Sequence, residues 1–130
     1  MAERLLLDTH ALIWCFHETE KLSSRARIAI EDSENEVYVS AVTAMEIATK
    51  FRIGKLPVAS QLANHFLREI ALLGFRPLPL TAEQGQRGGN LTIPNQDPFD
   101  RLLIAQAQIE GMRLVSNEKQ FDDFAVLRLW

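Results

Sequence analysis

Three consecutive leucines, Leu5–Leu7, that stop at an acid, Asp8, set the tightest limit on what this chain can become. A short apolar run with no polar alternation is a strand buried on both faces, so Arg4–Asp8 reads as an inner strand of a sheet covered on each side. The following residues bear out that need for cover, because helical patterns alternate with further short β-rich runs. Val37–Ser40, Arg113–Val115 and Val126–Leu129 read as strands, and the proline-bracketed Arg76–Leu80 reads as an edge strand. Between them, Thr9–His17 reads as a helix with Thr9 as its cap, and Leu22, Ser23 and Ser24 start a second helix that runs to Ser33. Ala41–Ile53 reads as a third helix ended by Gly54, and Ala59–Leu73 as a fourth, with Leu62, Phe66, Leu67, Ile70 and Leu73 at helical spacing. Thr81–Gln86 opens with a capping-box pattern, Arg87–Gln96 reads as a loop rich in Gly, Asn and Pro, and Phe99–Gly111 as a central, buried helix. A short helical turn is expected near Glu118–Phe124. The alternation predicts an α/β fold: a mainly parallel sheet with helices on both faces, in three layers.

Composition narrows the class. With 130 residues, 47% hydrophobic and 24% charged, the chain is expected to form one domain over residues 1–130 and to bury a real core, which excludes a disordered or low-complexity protein. Asp8 and His10 interrupt the most apolar stretches far short of a membrane span, and only three leucines follow Glu3 and Arg4, which is no signal-peptide pattern. A single cysteine, Cys15, has no partner for an internal disulfide and reads as a buried small hydrophobe, so a reducing, cytoplasmic setting is expected. The net charge of −3 argues against a nonspecific nucleic-acid coat, yet it does not exclude an enzyme that meets nucleic acid through metal ions.

In a parallel α/β sheet the ligand site lies outside the carboxyl ends of the strands. Acids gather at those ends: Asp8 after the first strand, Glu46 in the helix after the second, Asp97 and Asp100 at the start of the buried helix, and Glu118 after the strand ending at Val115. Crowded carboxylates call for cations, and an all-oxygen ligand set favours Mg²⁺ or Mn²⁺. Zinc does not fit, because His10, His17 and His65 lack ligand spacing. Each acid also has a plain structural reading: Asp8 as a helix cap, Glu46 as the end of a Thr43–Glu46 capping box, Asp97 as the cap before Pro98, and Glu118 as a first-turn acid. Lys50, Arg52 and Lys55 form a basic group that suits either a solvated face or a phosphate contact.

The same residues carry a resemblance. Leu5 through Trp14 (LLLDTHALIW) resembles the opening of a PIN domain, and Ser40 through Glu46 (SAVTAME) is similar to its second acidic block. Gln96 through Ala107 (QDPFDRLLIAQA) and Leu114 through Glu118 (LVSNE) resemble the third and fourth blocks of VapC-type toxins, in the same order across nearly the whole chain. The family often has His where this chain has Gln96, and commonly Asp near the position of Asn117-Glu118. The resemblance implies a Mg²⁺-dependent endoribonuclease, the toxin half of a toxin–antitoxin pair, that leaves a 5′-phosphate and a 3′-hydroxyl. It implies Asp8, Glu46 and Asp100 as the core acids, with Asp8 and Asp100 holding the metal and Glu118 completing the catalytic set. It further implies an RNA substrate, a cognate antitoxin and a homodimer.

Two other classes compete. A signalling receiver would need paired acids after the first strand and a phosphate-contacting Lys near a late strand, but Asp8 stands alone and no Lys lies between Lys55 and Lys119. A phosphatase of the haloacid dehalogenase type needs Asp two positions after the first acid, where this chain has His10. A PIN fold without activity that only binds a partner is the remaining alternative.

Overall fold

The computed structural model of the protein describes residues 2–130; Met1, within the domain expected over residues 1–130, lies outside the described residues. Five strands form one sheet: β1 (Arg4–Leu7), β2 (Glu36–Ser40), β3 (Arg76–Leu78), β4 (Arg113–Val115) and β5 (Arg128–Leu129). Their order is β3-β2-β1-β4-β5, and every neighbouring pair is parallel. β3 lies at the edge, where Pro77 is tolerated because an edge strand can spare a donor. The receiver alternative fails here, since receivers have the order 2-1-3-4-5.

Among the described residues seven α-helices surround the sheet: α1 (Thr9–His17), α2 (Ser24–Glu31), α3 (Ala41–Arg52), α4 (Ser60–Asn64), α5 (Phe66–Leu72), α6 (Ala82–Asn90) and α7 (Pro98–Glu110). Side-chain alternation along β1 assigns them to layers. Leu5 and Leu7 join Leu12, Ala26, Ile47, Leu62 and Ile70 in a core that packs α1 to α5 on one face. Leu6 points the other way and joins Leu103, Ile104, Leu114 and Phe121 beneath α7. Leu5, Leu6 and Leu7 are all fully buried, the expected consequence of a sheet covered on both faces.

The elements depart from the sequence reading at several points. Asp8, not Thr9, is the cap of α1: Asp8 keeps extended backbone angles while Thr9 is already helical. The helix expected over Ala59–Leu73 is broken at His65 into α4 and α5, because His65 leaves helical geometry with ψ 44°. The loop expected from Arg87 begins only after Asn90, as α6 runs on through Gly88 and Gly89. An added Cβ on Gly88 would lie 3.1 Å from the Leu102 side chain, so the missing side chain lets α6 approach α7 closely, and that contact outweighs the poor helix propensity of glycine. Cys15 is only partly buried; it packs against the first core, and burial followed by the Glu31 charge pushes its thiol up to about 12.

The helix starts otherwise follow local chemistry. Ser23 caps α2 by accepting from Ala26 N–H, and Thr81 and Gln84 form the full capping box of α6. Gly54 takes φ +81° just past α3, a conformation that strains any residue with a side chain. No helix among the described residues is long and apolar enough to cross a membrane.

Candidate active site

The chain runs outward from β1 through β2 to β3, then returns to the other side of β1 for β4 and β5. The order therefore reverses between β1 and β4, and the carboxyl edge at such a reversal is where open parallel sheets bind ligands. Asp8 leaves β1 at this point, and its backbone N–H donates to the carbonyl of Val115, the last residue of β4, at 3.0 Å. Only 5% of Asp8 is exposed. One carboxylate oxygen, Oδ1, accepts from Ala11 N–H at 2.8 Å, so the helix-cap reading of Asp8 is correct as far as it goes. Burial pushes the Asp8 carboxyl up to about 6, against the opposing pull of the Ser116 hydroxyl and the Ala11 N–H, with the Glu118 charge adding to the rise.

Asp97 and Asp100 divide the work at the start of α7. Pro98 occupies the first helical position, and Asp97 Oδ1 accepts from Phe99 N–H at 2.8 Å and Asp100 N–H at 3.4 Å. Asp100 is thus released from capping, and its Oδ2 accepts from Asn95 Nδ2 at 3.2 Å. Asn95 also accepts from Asp97 N–H through its Oδ1 at 2.8 Å, so one amide ties both acids to the loop. Burial raises the Asp100 carboxyl to about 6, and the charges of Asp97, Glu118 and Glu46 add to the rise.

Glu46 is buried and fully engaged. Its Oε1 accepts from the Thr9 hydroxyl at 2.5 Å and its Oε2 from Lys50 Nζ at 2.6 Å. The capping-box reading of Thr43–Glu46 is wrong: α3 starts at Ala41 under the Ser40 cap, whose Oγ accepts from Val42 N–H, and both residues sit inside the helix. The Thr43 hydroxyl is buried without a hydrogen-bond partner among the described residues. Lys50, exposed in the solvated-face reading, turns inward onto Glu46 and also feels Asp97 and Asp100. Glu118 is partly exposed at the turn after β4; its N–H donates to Ser116 Oγ at 3.0 Å, and His10 Nδ1 lies 4.0 Å from its Oε1.

The structure therefore brings Asp8, Glu46, Asp100 and Glu118 from four separate segments to one edge, where their charges act on one another. No three acidic, histidine or cysteine side chains among the described residues lie close enough to form a ready-made metal cage. That arrangement still fits a Mg²⁺-like ion, which keeps several waters and uses one or two carboxylates. Two carboxylates whose charge is disfavoured by burial and by acidic neighbours, Asp8 and Asp100, are the residues that would hold it. Beside Asp100, an open groove is lined by Asn95, Asp97, Gln120, Asp123 and Phe124.

Three features escape the sequence reading. Asn95 lies in a stretch whose composition says only turn. Gln106 lies on a helix read as apolar, yet it is fully buried and accepts from the Ser40 hydroxyl at 2.5 Å while donating to Gln84 Oε1 at 3.0 Å. That chain of amides fastens α7, which carries Asp100, to the start of α3, which carries Glu46. Arg101 donates to the carbonyls of Gly88 (3.0 Å), Gly89 (3.2 Å), Leu91, Ile93 (3.4 Å) and Asn95 (2.8 Å). It closes the carboxyl end of α6 and holds the loop that carries Asn95. Lysine has three donors and no planar fork, so Arg101→Lys is expected to cost about 2 kcal/mol and to speed amide exchange over residues 91–97 selectively. Unchanged exchange in that loop would remove the clamp from the account.

The all-parallel five-stranded sheet and its helical layers lead to one family: residues 5–127 match the PIN domain, and the chain belongs to it. It is 31% identical over 127 residues to Ribonuclease VapC22 of Mycobacterium tuberculosis (strain ATCC 25618 / H37Rv), covering 89% of this chain and 88% of that protein. Its fold is shared with VapBC2 from Rickettsia felis, bound to a DNA fragment from the promoter, at TM-score 0.67, 16% identity and 96% coverage of both chains. A toxin–antitoxin complex from Klebsiella pneumoniae gives TM-score 0.61 and 22% identity over 93% of this chain and 90% of that one. VapBC-1 from nontypeable Haemophilus influenzae gives 0.66 and 13%, over 96% of both chains.

Proposed function

We propose that this chain is a metal-dependent endoribonuclease, the toxin of a toxin–antitoxin pair, acting as a single domain in the cytoplasm. The observation that carries the reading is the convergence of Asp8, Glu46, Asp100 and Glu118 on one sheet edge, with Asp8 and Asp100 both raised to about 6. The resemblance to a ribonuclease and to chains from toxin–antitoxin complexes supports the choice of substrate and partner.

Asp8 and Asp100 would hold Mg²⁺, or Mn²⁺, partly through water. Such an ion, when bound, would lower the pKa of a water and polarise the phosphodiester; the family resemblance, not this chemistry, implies 5′-phosphate and 3′-hydroxyl products. The chain's own residues set the geometry. The Ala11 N–H fixes Asp8, Asn95 fixes Asp100, and Thr9 with Lys50 fixes Glu46. Glu118, partly buried like Asp100, completes the acidic wall; its backbone N–H donates to Ser116 Oγ and its Oε2 accepts from Gln120 Nε2 at 2.8 Å.

Purified protein incubated with end-labelled RNA is expected to cut it in Mg²⁺ or Mn²⁺ and to stop in EDTA. Equal cutting in EDTA would sink the metal mechanism, whereas no cutting under any condition would favour a partner-binding PIN fold. A cognate antitoxin is expected to lay a segment rich in Arg or Lys over the acidic edge, since a bidentate guanidinium matches paired carboxylates. Expression without that antitoxin should arrest growth, and a homodimer is the expected state in solution. Normal growth would count against the toxin assignment while leaving the nuclease intact.

A further inference from the structure

We propose that Lys50 is the second cation of the acidic edge: it closes Glu46 against Thr9, so one divalent ion binds per chain and Glu46 is a positioning residue, never a metal ligand. This rests on the metal-nuclease reading above.

Both oxygens of Glu46 are already engaged, one by the Thr9 hydroxyl at 2.5 Å and the other by the Lys50 ammonium at 2.6 Å. The pair is i,i+4 on α3 with the acid on the amino-terminal side, the favourable orientation for such a pair on a helix. It is also sheltered, the Glu46 side chain being 9% and that of Lys50 35% exposed, so salt screens it far less than a surface pair. An ammonium beside Glu46 repels any divalent ion that approaches the same carboxylate.

The charge count points the same way. Lys50 feels Asp97 and Asp100 as well as Glu46, so its single charge is shared by acids from α3 and from the start of α7. Sites with two metal ions use the second ion as a clamp on the oxygens of the reacting phosphate. Here the Glu46 carboxylate meets an ammonium, Lys50 Nζ at 2.6 Å. Of its three donors only one has a protein acceptor, Glu46, among the described residues, which leaves two for a phosphate oxygen. Thr9 is the third part of the device: it directly follows Asp8, so the locked Glu46 steadies the start of α1 on which Asp8 sits.

The test uses the intact chain, with Mn²⁺ as the probe. Calorimetry is expected to count one Mn²⁺ per chain. Competitive acetylation read by mass spectrometry is expected to find Lys50 the slowest of the four lysines, in EDTA and in saturating Mn²⁺ alike. Lys50→Met frees Glu46 and removes the repulsion, so Mn²⁺ affinity should rise about tenfold or a second equivalent should appear. Glu46→Gln should keep one Mn²⁺ with affinity lowered about tenfold, as for the loss of a group that orients a ligand, while Lys50 acetylates faster. Two Mn²⁺ on the wild-type chain, Lys50 becoming reactive when Mn²⁺ is added, or Lys50 acetylating as fast as exposed Lys119 in EDTA would each overturn the proposal. If the wild-type chain binds no Mn²⁺ while Lys50 stays protected, the metal-nuclease reading fails and the closure of Glu46 by Lys50 stands.

Discussion

Asp8→Asn is expected to melt at a higher temperature than the wild-type chain in EDTA at pH 7.5, and to leave RNA uncut. The two effects have one cause. The Asp8 carboxyl is 5% exposed and its pKa stands at about 6 rather than 3.8, so ionising it at neutral pH works against the fold. A folded-state pKa above the unfolded value means a contribution that is complete below pH 3.8 and is lost as pH rises through about 6. A shift of that size corresponds to roughly 3 kcal/mol once the group is fully ionised. Asparagine removes the charge while its side-chain oxygen can still accept from Ala11 N–H and cap α1, since Asn caps about as well as Asp. The expected gain is roughly 5–10 °C in EDTA at pH 7.5. It should shrink as pH falls toward 4, where the wild-type carboxyl is itself protonated. Mg²⁺ should raise the wild-type melting temperature and leave that of Asp8→Asn nearly unchanged. Melting curves at three pH values, with and without Mg²⁺, together with an RNA cleavage assay, check all of this. A mutant no more stable than wild type at pH 7.5, or a gap that ignores pH, would show that burial of Asp8 is not opposed to the fold.

Much of this was legible in the residues, for a physical reason. Strands buried on both faces, such as Leu5–Leu7, show as unbroken apolar runs, and turn chemistry marks where they stop. The α/β alternation and the placement of acids at strand ends follow from those two signals. Interactions that cross the fold were not legible. Helix α6 continues through Gly88, where Leu102 on α7 fits against the bare backbone, and no local pattern encodes a contact between helices. Gln106 sits where periodicity asks for an apolar residue, and its meaning depends on Ser40, 66 positions away. Glu46 shows the sharper lesson. Its place on the acidic edge follows from topology, but its engagement depends on Thr9 from α1 and Lys50 one turn along α3; by sequence the Thr9 hydroxyl suits a cap or an acid and Lys50 a solvated face or a phosphate, and only the fold selects Glu46 for both.

The neighbouring acids Asp97 and Asp100 are expected to give opposite results when each is changed to asparagine. Asp97 is spent on the backbone: its Oδ1 accepts from Phe99 and Asp100 N–H, and Pro98, directly after Asp97, has no N–H to satisfy. Asn offers the same acceptor, so Asp97→Asn should fold with little loss and keep much of its activity, while Asp97→Ala should lose about 1 kcal/mol with the cap. Asp100 is not needed for that cap. Its carboxylate is held by Asn95, and its pKa of about 6 reflects burial first and the acids Asp97, Glu118 and Glu46 after it. Removing its charge relieves that crowding, so Asp100→Asn should melt at or above the wild-type temperature and lose RNA cleavage by several orders of magnitude. Asn95→Ala gives an intermediate case: it keeps both acids but releases Asp100, so cleavage should fall by roughly tenfold, as for the loss of a group that orients a ligand. Melting curves and cleavage rates for the four variants separate capping from chemistry. A folded but inactive Asp97→Asn beside an active Asp100→Asn would exchange the roles of the two acids, because the helix start has room for one cap and leaves the other carboxylate to face the edge that Asp8 and Glu118 share.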